Sequence, residues 1–494
     1  MSINNPILAG FNPDPSICYV DGIYYIAVST FEFFPGATLY KSTDLKNWEY
    51  IGSALTRESQ LDLIGCKNSS GIYAPTLRYH EGTFYLVTTN KHKRMNFMIV
   101  ADSITGPWSE PMLINSMGID PSLFFDEDGS CFYTSNGTID GQKGIVGARI
   151  DSKSAAMLEP LRILSHGVTQ CATEAPHLYK KDGWYYLVIS EGGTEYGHHV
   201  NVLRSKDIYG PYQENPNNPI LSNVFEKGNP IQATGHADLC RTADGRWFAV
   251  FLAIRLYSKA HLHNLGRETF LTDVEWVDGW PVIGNAGVID CAHQAAMNRK
   301  VLEYSMTISF SERLETYPFL KVRSPKPECY KLGDNTLTLV GEERLTAELG
   351  RPTLLALRQR QFLSRFEATI ELSALEGKAG VVAWYNSDYF LCLKIRKDTE
   401  HPILAEVVSC VHGFEAVVAR KQITGHQERL LLSCTTDTER YTFWIEDKMI
   451  GSAPVASLCT ETTMYMTFTG VLLGIFAEEG PATFHGSLQY TDWL

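Results

Sequence analysis

Self-similarity constrains this chain more than any other feature. A short apolar segment, an acidic-glycine turn and an aromatic-rich segment recur as "SICYVDGIYYIAVST", "TLRYHEGTFYLVTTN", "SLFFDEDGSCFYTSN", "HLYKKDGWYYLVISE" and "DLCRTADGRWFAVFLAI". Each copy reads as a β-hairpin whose Asp-Gly or Glu-Gly pair supplies the positive φ that tight turns need. About twenty residues past the turn, three copies add a polar turn closed by an aromatic residue: "STDLKNW", "ADSITGPW" and "SKDIYGPY". That is the expected link between the outer strands of a four-stranded blade. A repeat of roughly 45 to 60 residues fits one propeller blade per copy. The expectation is an all-β chain, with a five-bladed β-propeller domain over 1–300.

The repeat also gives meaning to isolated residues. Counting back seven or eight positions from the acidic turn residue reaches Asp14, Tyr73, Asp120, Glu174 and His236. Equivalent positions on the innermost strands of a propeller surround one axis, so these five are expected to converge. Three are carboxylic acids in rhyming contexts, "PDPSI", "IDPSL" and "TEAPHL". Gathering buried acids is costly unless their pKa values are put to use. The turn acids Asp21, Glu81, Asp128, Asp182 and Asp244 read instead as structural.

One protonated and one ionised carboxyl group across a cleft are what hydrolysis of a glycosidic bond needs, and a third can hold their pKa values apart. A wide gap would admit a water and invert the anomeric centre, whereas a narrow one would retain it. The residues alone leave both open.

Composition narrows the ligand. With 43 basic against 56 acidic residues the formal charge is −13, which disfavours nucleic acid and anionic membrane and suits a neutral ligand. Eleven scattered cysteines without C-x-x-C spacing point to reduced thiols. The start "MSINNPILAG" lacks a basic and apolar leader pattern, and no apolar run reaches the length of a membrane span. The chain is expected to be cytoplasmic, with a small oligosaccharide as partner.

The segments "NPILAGFNPDPSI", "STFEFFPG", "GIDPSLFFDEDG", "TEAPHLYKKDGWYYLVISEGGTEYGH", "TGHADL" and "GRETFLTDVEWVDGWPVI" resemble, in order, the blade motifs of glycoside hydrolase family 43, the β-xylosidase and α-L-arabinofuranosidase group. The resemblance implies an inverting enzyme in which Asp14 is the general base, Glu174 the general acid, and Asp120 the third acid that raises the pKa of Glu174 and orients it. It gives Arg267, in "LGRETF", contact with the sugar at the non-reducing end. It places His236 deep in the tunnel, where in some members the histidine helps hold a water or a structural calcium ion; read from its position alone, an axial histidine is equally a satisfied core residue. No cofactor is required by this chemistry.

Phe31, Phe33, Phe34 and Tyr73 are candidates for an aromatic wall against a pentose, and Phe31 and Tyr73 are the two selected. Two departures from the family pattern stand out. Tyr73 occupies a position where many β-xylosidases of the group have Trp, with Tyr common among arabinofuranosidase-like relatives, and Ala175 stands where Gly is usual. The leading expectation is a β-1,4-xylosidase releasing terminal pentose from short xylo-oligosaccharides, as in xylan degradation. The alternatives are an α-L-arabinofuranosidase or a bifunctional enzyme. A different class, a non-catalytic carbohydrate-binding propeller, would have no need of all three acids.

After "DCAHQAAMNRKVLEYSM" the blade signals stop, and "FSERLETYPFLKVRSPKPECYKL" reads as a polar crossing. The runs "RFEATIEL", "GVVAWYN", "YFLCLKI", "AEVVSCV", "RLLLSC", "YTFWI" and "TFHGSLQYTDWL" predict a β-sandwich over 301–494, concanavalin-like by the same resemblance. Its expected work is to pack on the propeller, narrow the cleft to a pocket with a loop, and support homo-oligomers.

Overall fold

The structure is a computed structural model; it describes residues 5–226, 228–257, 261–289, 304–397, 403–424 and 427–493. Five four-stranded antiparallel sheets account for the N-terminal part, each a simple up-and-down meander. Their first strands are Ser16–Val20, Thr76–His80, Ser122–Phe125, Glu174–Lys181 and Ile231–Arg241. These strands neighbour one another in a closed ring, so the sheets are five propeller blades around a hub. The ring is locked by the N-terminal segment, where Leu8 pairs with Thr269 on the third strand of the fifth blade.

The five predicted hairpins are present, but their turns are of two kinds. In the first, second and fourth blades the strands close over two residues that both have positive φ, such as Asp21 (48°) and Gly22 (87°). In the third and fifth blades only the glycine, Gly129 or Gly245, has positive φ, and the loop is longer because Phe125 pairs with Cys131 and Arg241 with Trp247. The extra residues in "DEDGS" and "TADGR" force that difference.

The C-terminal part is a two-sheet sandwich. One sheet has eight strands, with Gly480–Trp493 at its centre, and the other has six, from Thr353–Arg358 through Leu472–Glu478 and Lys378–Asn386 to Phe414–Ile423 at the edge. Five strands of the six-stranded sheet are buried on both faces, and only the edge strand Phe414–Ile423 is largely exposed. Leu355, Val381 and Leu393 face the sister sheet, whereas the alternate residues Leu354, Val382, Trp384 and Phe390 pack with Phe11, Phe31 and Phe33 of the propeller. Full burial of one such aromatic contributes about 2 to 3 kcal/mol, so the two domains share a core. Two-sided burial also explains why Thr353–Arg358 and Leu472–Glu478, uniformly buried and mostly apolar without alternation, do not stand out as strands in the sequence.

The segment read as a polar crossing is more ordered than expected. Just before it Tyr304–Ser309 pairs with Gly480–Trp493, and within it Lys321–Val322 pairs with Phe33–Phe34 of the first blade. Both pairings are long-range, and a local pattern cannot reveal them. The boundary expected at 300/301 lies outside the described residues. Among the described residues no helix is long and apolar enough to cross a membrane.

Candidate active site

Asp14, Asp120 and His236 stand just before or within the inner strands of their blades, and all three are in the left-handed region, with φ of 53°, 56° and 50°. A local reversal at these points turns the side chain inward toward the hub. In the fourth blade the same conformation falls on Ala175 (φ 52°) rather than on Glu174. That accounts for the usual glycine: the position favours a residue without Cβ, and alanine carries about 1 kcal/mol of strain there.

Asp14 is 4% exposed and fully engaged. Its Oδ1 accepts from Arg267 Nη1 at 2.8 Å, its Oδ2 accepts from the Ser29 hydroxyl at 2.5 Å, and His236 Nδ1 lies 3.8 Å from Oδ1. Burial alone would raise its pKa. The Arg267 guanidinium, the His236 imidazole and the Ser29 hydroxyl outweigh burial and hold the carboxyl below its usual range.

Glu174, half-buried, moves the opposite way. Desolvation first, then the neighbouring Asp120 and Asp14 carboxyls, push it well above the usual glutamate value, and Arg267 opposes them only partly. Asp120, whose Oδ2 accepts from the Ala175 amide at 3.1 Å, is raised by burial and by Asp14. The three acids therefore share one electrostatic site, with Asp14 biased to the ionised form and Glu174 to the protonated form.

Arg267 organises the far wall. Besides Asp14, Nη1 donates to Thr194 Oγ1 at 2.8 Å, and Nη2 donates to the carbonyl of Phe468 at 3.3 Å. Its Nε is buried with no acceptor among the described residues. The guanidinium lies 5.4 Å from the ring centroid of Phe31 and 5.5 Å from that of Phe468. Phe31, Tyr73 and Phe468 form a trio with centroids 5.0, 5.7 and 6.0 Å apart. Phe33 and Phe34 turn away, into the interdomain core and the first-blade core respectively.

Phe468 belongs to the sandwich. Its amide donates to the Ser69 hydroxyl at 3.0 Å, and Ser69 sits on the propeller loop that ends at Tyr73, whose hydroxyl donates to the Ser69 carbonyl at 3.1 Å. This loop can close on Phe31 only because residue 71 is glycine: at φ 91°, a Cβ there would lie 2.2 Å from the Phe31 carbonyl oxygen. Below it, buried Glu32 accepts the Ser69 amide at 3.0 Å, and the amide of Arg323, from the sandwich, donates to the Glu32 carbonyl at 2.7 Å. Arg323 also grips the loop directly, through Nε to the Cys66 carbonyl and Nη2 to Asn68 Oδ1.

Phe468, Ser29, Thr194 and Glu32 were not singled out from the sequence. Ser29, Glu32 and Thr194 lie inside or beside the quoted motifs, whereas "MYMTFTG" around Phe468 carries no signal of its own.

Deeper in the hub, Asp238 receives Arg78 through both oxygens at 2.7 and 3.1 Å, together with the hydroxyls of Ser16 (2.7 Å) and Tyr179 (2.5 Å). His177 and His198 are buried there, and desolvation drives both imidazoles down to about 3, so they are neutral. Among the described residues no group of three or more His, Cys, Asp or Glu is arranged to hold a metal ion. Around His236 stand neutral imidazoles, the Asp120 carboxyl and an Asp14 already bound to Arg267 and Ser29, fewer than the six to eight oxygens that calcium typically takes, about 2.3 to 2.6 Å away.

Comparison with known proteins fits this geometry. The family description "Glycosyl hydrolases family 43" matches residues 3–281, and "Beta xylosidase C-terminal Concanavalin A-like domain" matches residues 309–492. The non-reducing end alpha-L-arabinofuranosidase BoGH43B of Bacteroides ovatus is 34% identical over 96% of this chain and 91% of its own length. The beta-xylosidase of Bacillus subtilis is also 34% identical, over 83% of this chain and 82% of its own. The solved structure of xylan beta-1,4-xylosidase from Bacillus halodurans superimposes with a TM-score of 0.89 at 31% identity, covering 99% of this chain and 100% of that one. By its sequence, its two domains and its fold, the chain belongs to glycoside hydrolase family 43, a family of inverting glycosidases.

Proposed function

We propose that this enzyme removes a terminal pentose from the non-reducing end of short oligosaccharides, with β-1,4-xylosides the leading substrate and α-L-arabinofuranosides a second one. The observation that carries the reading is the opposed bias of two acids at one site, Asp14 toward the carboxylate and Glu174 toward the acid. Glu174 gives its proton to the leaving glycosidic oxygen as the bond to the anomeric carbon breaks. Asp14 takes a proton from a water whose oxygen joins that carbon from the opposite side, and the configuration inverts. Asp120 keeps Glu174 protonated by adding negative charge beside it. Both catalytic carboxyls return to their starting states by exchange with solvent, so water and carboxyl groups suffice.

The choice of a terminal sugar is supported by the closed wall of Arg267, Phe31, Tyr73 and Phe468. Apolar sugar C–H faces suit the three rings, and the unpaired Nε of Arg267 is a donor for a ring hydroxyl. Tyr73 in place of Trp supports the wider substrate range, as does the presence of both activities among the names of the relatives. Ten described cysteines, all free, support a reducing compartment, where short imported xylan fragments would be the substrate.

The test is hydrolysis of nitrophenyl β-xyloside and nitrophenyl α-L-arabinofuranoside, with proton NMR of the first sugar released. Release of α-xylose from the β-xyloside supports the reading. Turnover of neither compound, or release of the retained anomer, refutes it.

A further inference from the structure

The inner strand of the fourth blade begins at Glu174 and ends at Lys181. Seven steps of about 3.3 Å put its far end about 23 Å from the catalytic acid. At that far end the hairpin turns of the third, fourth and fifth blades border a partly open cavity of about 470 Å³, lined by Trp247, Trp276, Lys180, Lys181 and Arg241 together with the turn acids Glu127 and Asp182. That volume is within the range of small-ligand pockets, about 300 to 1,000 Å³.

The composition of this end is unusual for the chain. Four of its nine tryptophans, Trp184, Trp247, Trp276 and Trp280, lie on the fourth and fifth blades, and none belongs to the other three blades except Trp48 and Trp108. Trp247 and Trp276 are half-buried and meet edge to face, with centroids 5.5 Å apart and planes at 66°, and Lys181 Nζ lies 5.1 Å from the Trp276 ring centroid. The indole Nε1 of Trp276 is buried without an acceptor among the described residues. Charged groups surround the rings in near balance. Lys180 bridges Asp126 and Glu127 at 2.6 and 3.1 Å, Lys181 pairs with Asp182, and Arg241 is exposed at the rim.

Angled indole faces beside donors and acceptors of both signs match a neutral polyhydroxylated ligand. They do not match an anion, which would call for an excess of cations, or a purely apolar molecule, which would leave the charged groups unpaired. We propose that this cavity is a second, non-catalytic binding site for neutral oligosaccharide, on the face of the propeller opposite the active site. The identity of the ligand rests on the glycosidase reading above; the position of the site does not. A site here would hold a longer chain, or raise the local concentration of short ones, without touching the reacting bond.

Isothermal titration of xylotetraose into the full-length Glu174→Gln enzyme, which binds without turnover, is expected to show two sites per chain. Adding Trp247→Ala weakens one of them about tenfold or more, the loss of one sugar-facing ring. Arg241→Ala, an exposed change with no core to disturb, weakens the same site, so a folding defect of the tryptophan variant cannot decide the result. In the otherwise unaltered enzyme, both substitutions leave hydrolysis of nitrophenyl β-xyloside unchanged. One site in the parent, or two sites indifferent to both substitutions, overturns the proposal. A failure of the glycosidase reading appears separately, as loss of aryl-pentoside hydrolysis by the unmodified enzyme.

Discussion

Replacing Arg267 by alanine tests the electrostatic core of the mechanism. Arg267 Nη1 lies 2.8 Å from Asp14 Oδ1, and the pair is buried, with side chains 9% and 6% exposed. A unit charge pair about 4 Å between centres, at an effective dielectric near 20, interacts by about 4 kcal/mol, or about 3 pH units. Burial, which acts alone in raising Asp14, stays in the variant, while His236 and Ser29 supply only part of the opposing effect. The sign follows directly. In the native enzyme Asp14 is depressed, so the base is ionised down to a pH below the usual carboxylate range, and activity falls only when the pH drops through that depressed value. In Arg267→Ala the acid limb of kcat/KM moves up by about 2 to 3 pH units. Arg267→Lys, which keeps the charge but loses the planar fork, holds the limb near its native position while the plateau drops. The assay is the pH dependence of kcat/KM with an activated aryl pentoside from pH 4 to 9, alongside thermal melting. Loss of one partner of a buried pair also costs about 3 to 5 kcal/mol of stability. An acid limb that stays in place in Arg267→Ala would refute the assignment of that limb to Asp14.

Other outcomes follow from the same geometry. Glu174→Gln lowers kcat about a hundredfold or more for xylobiose but little for a dinitrophenyl leaving group, which needs no proton; equal losses on both would remove the acid role, and the native alkaline limb, set by a raised Glu174, disappears in this variant. Glu32, driven up to about 7 by burial against the Ser69 and Arg323 contacts, contributes stability that is complete below its unfolded value of 4.5 and lost as pH rises through 7. Glu32→Gln therefore flattens the melting temperature between pH 5 and 8, a difference of at most about 3 kcal/mol, and an unchanged slope would contradict the assignment. Phe468→Ala removes two ring contacts and one cation–π contact, about 1.5 to 4 kcal/mol together, and lowers kcat/KM on aryl pentosides about 10-fold or more; full activity would limit the sandwich to a scaffold.

Much of the propeller was legible because its determinants are local and repeated. An acidic-glycine pair between apolar runs marks a chain reversal in all five blades, whether the turn is the two-residue kind or the longer one, and the spacing from that reversal indicates which residue faces the hub. Asp14, Asp120 and Glu174 could thus be found by counting, with no knowledge of distances. The sandwich strands from Leu363–Glu371 to Arg440–Ile445 that alternate, or carry aromatic and β-branched runs, could be read in the same way. Glu174 and Ala175 show where counting falls short: the left-handed turn is displaced by one residue in the fourth blade, which the spacing alone does not reveal.

What the chain sequence determined by itself was the number of blades, the inward register and the gathering of the acids, because each follows from short-range turn chemistry multiplied by periodicity. What only the tertiary structure decided was the electrostatics and the wall. Arg267 reaches Asp14 from 253 positions away, Phe468 arrives from another domain, and the two-faced burial of the six-stranded sheet joins them. Those contacts depend on surfaces meeting in space, and the pKa of a carboxyl is set by its neighbours in space rather than by its neighbours along the chain.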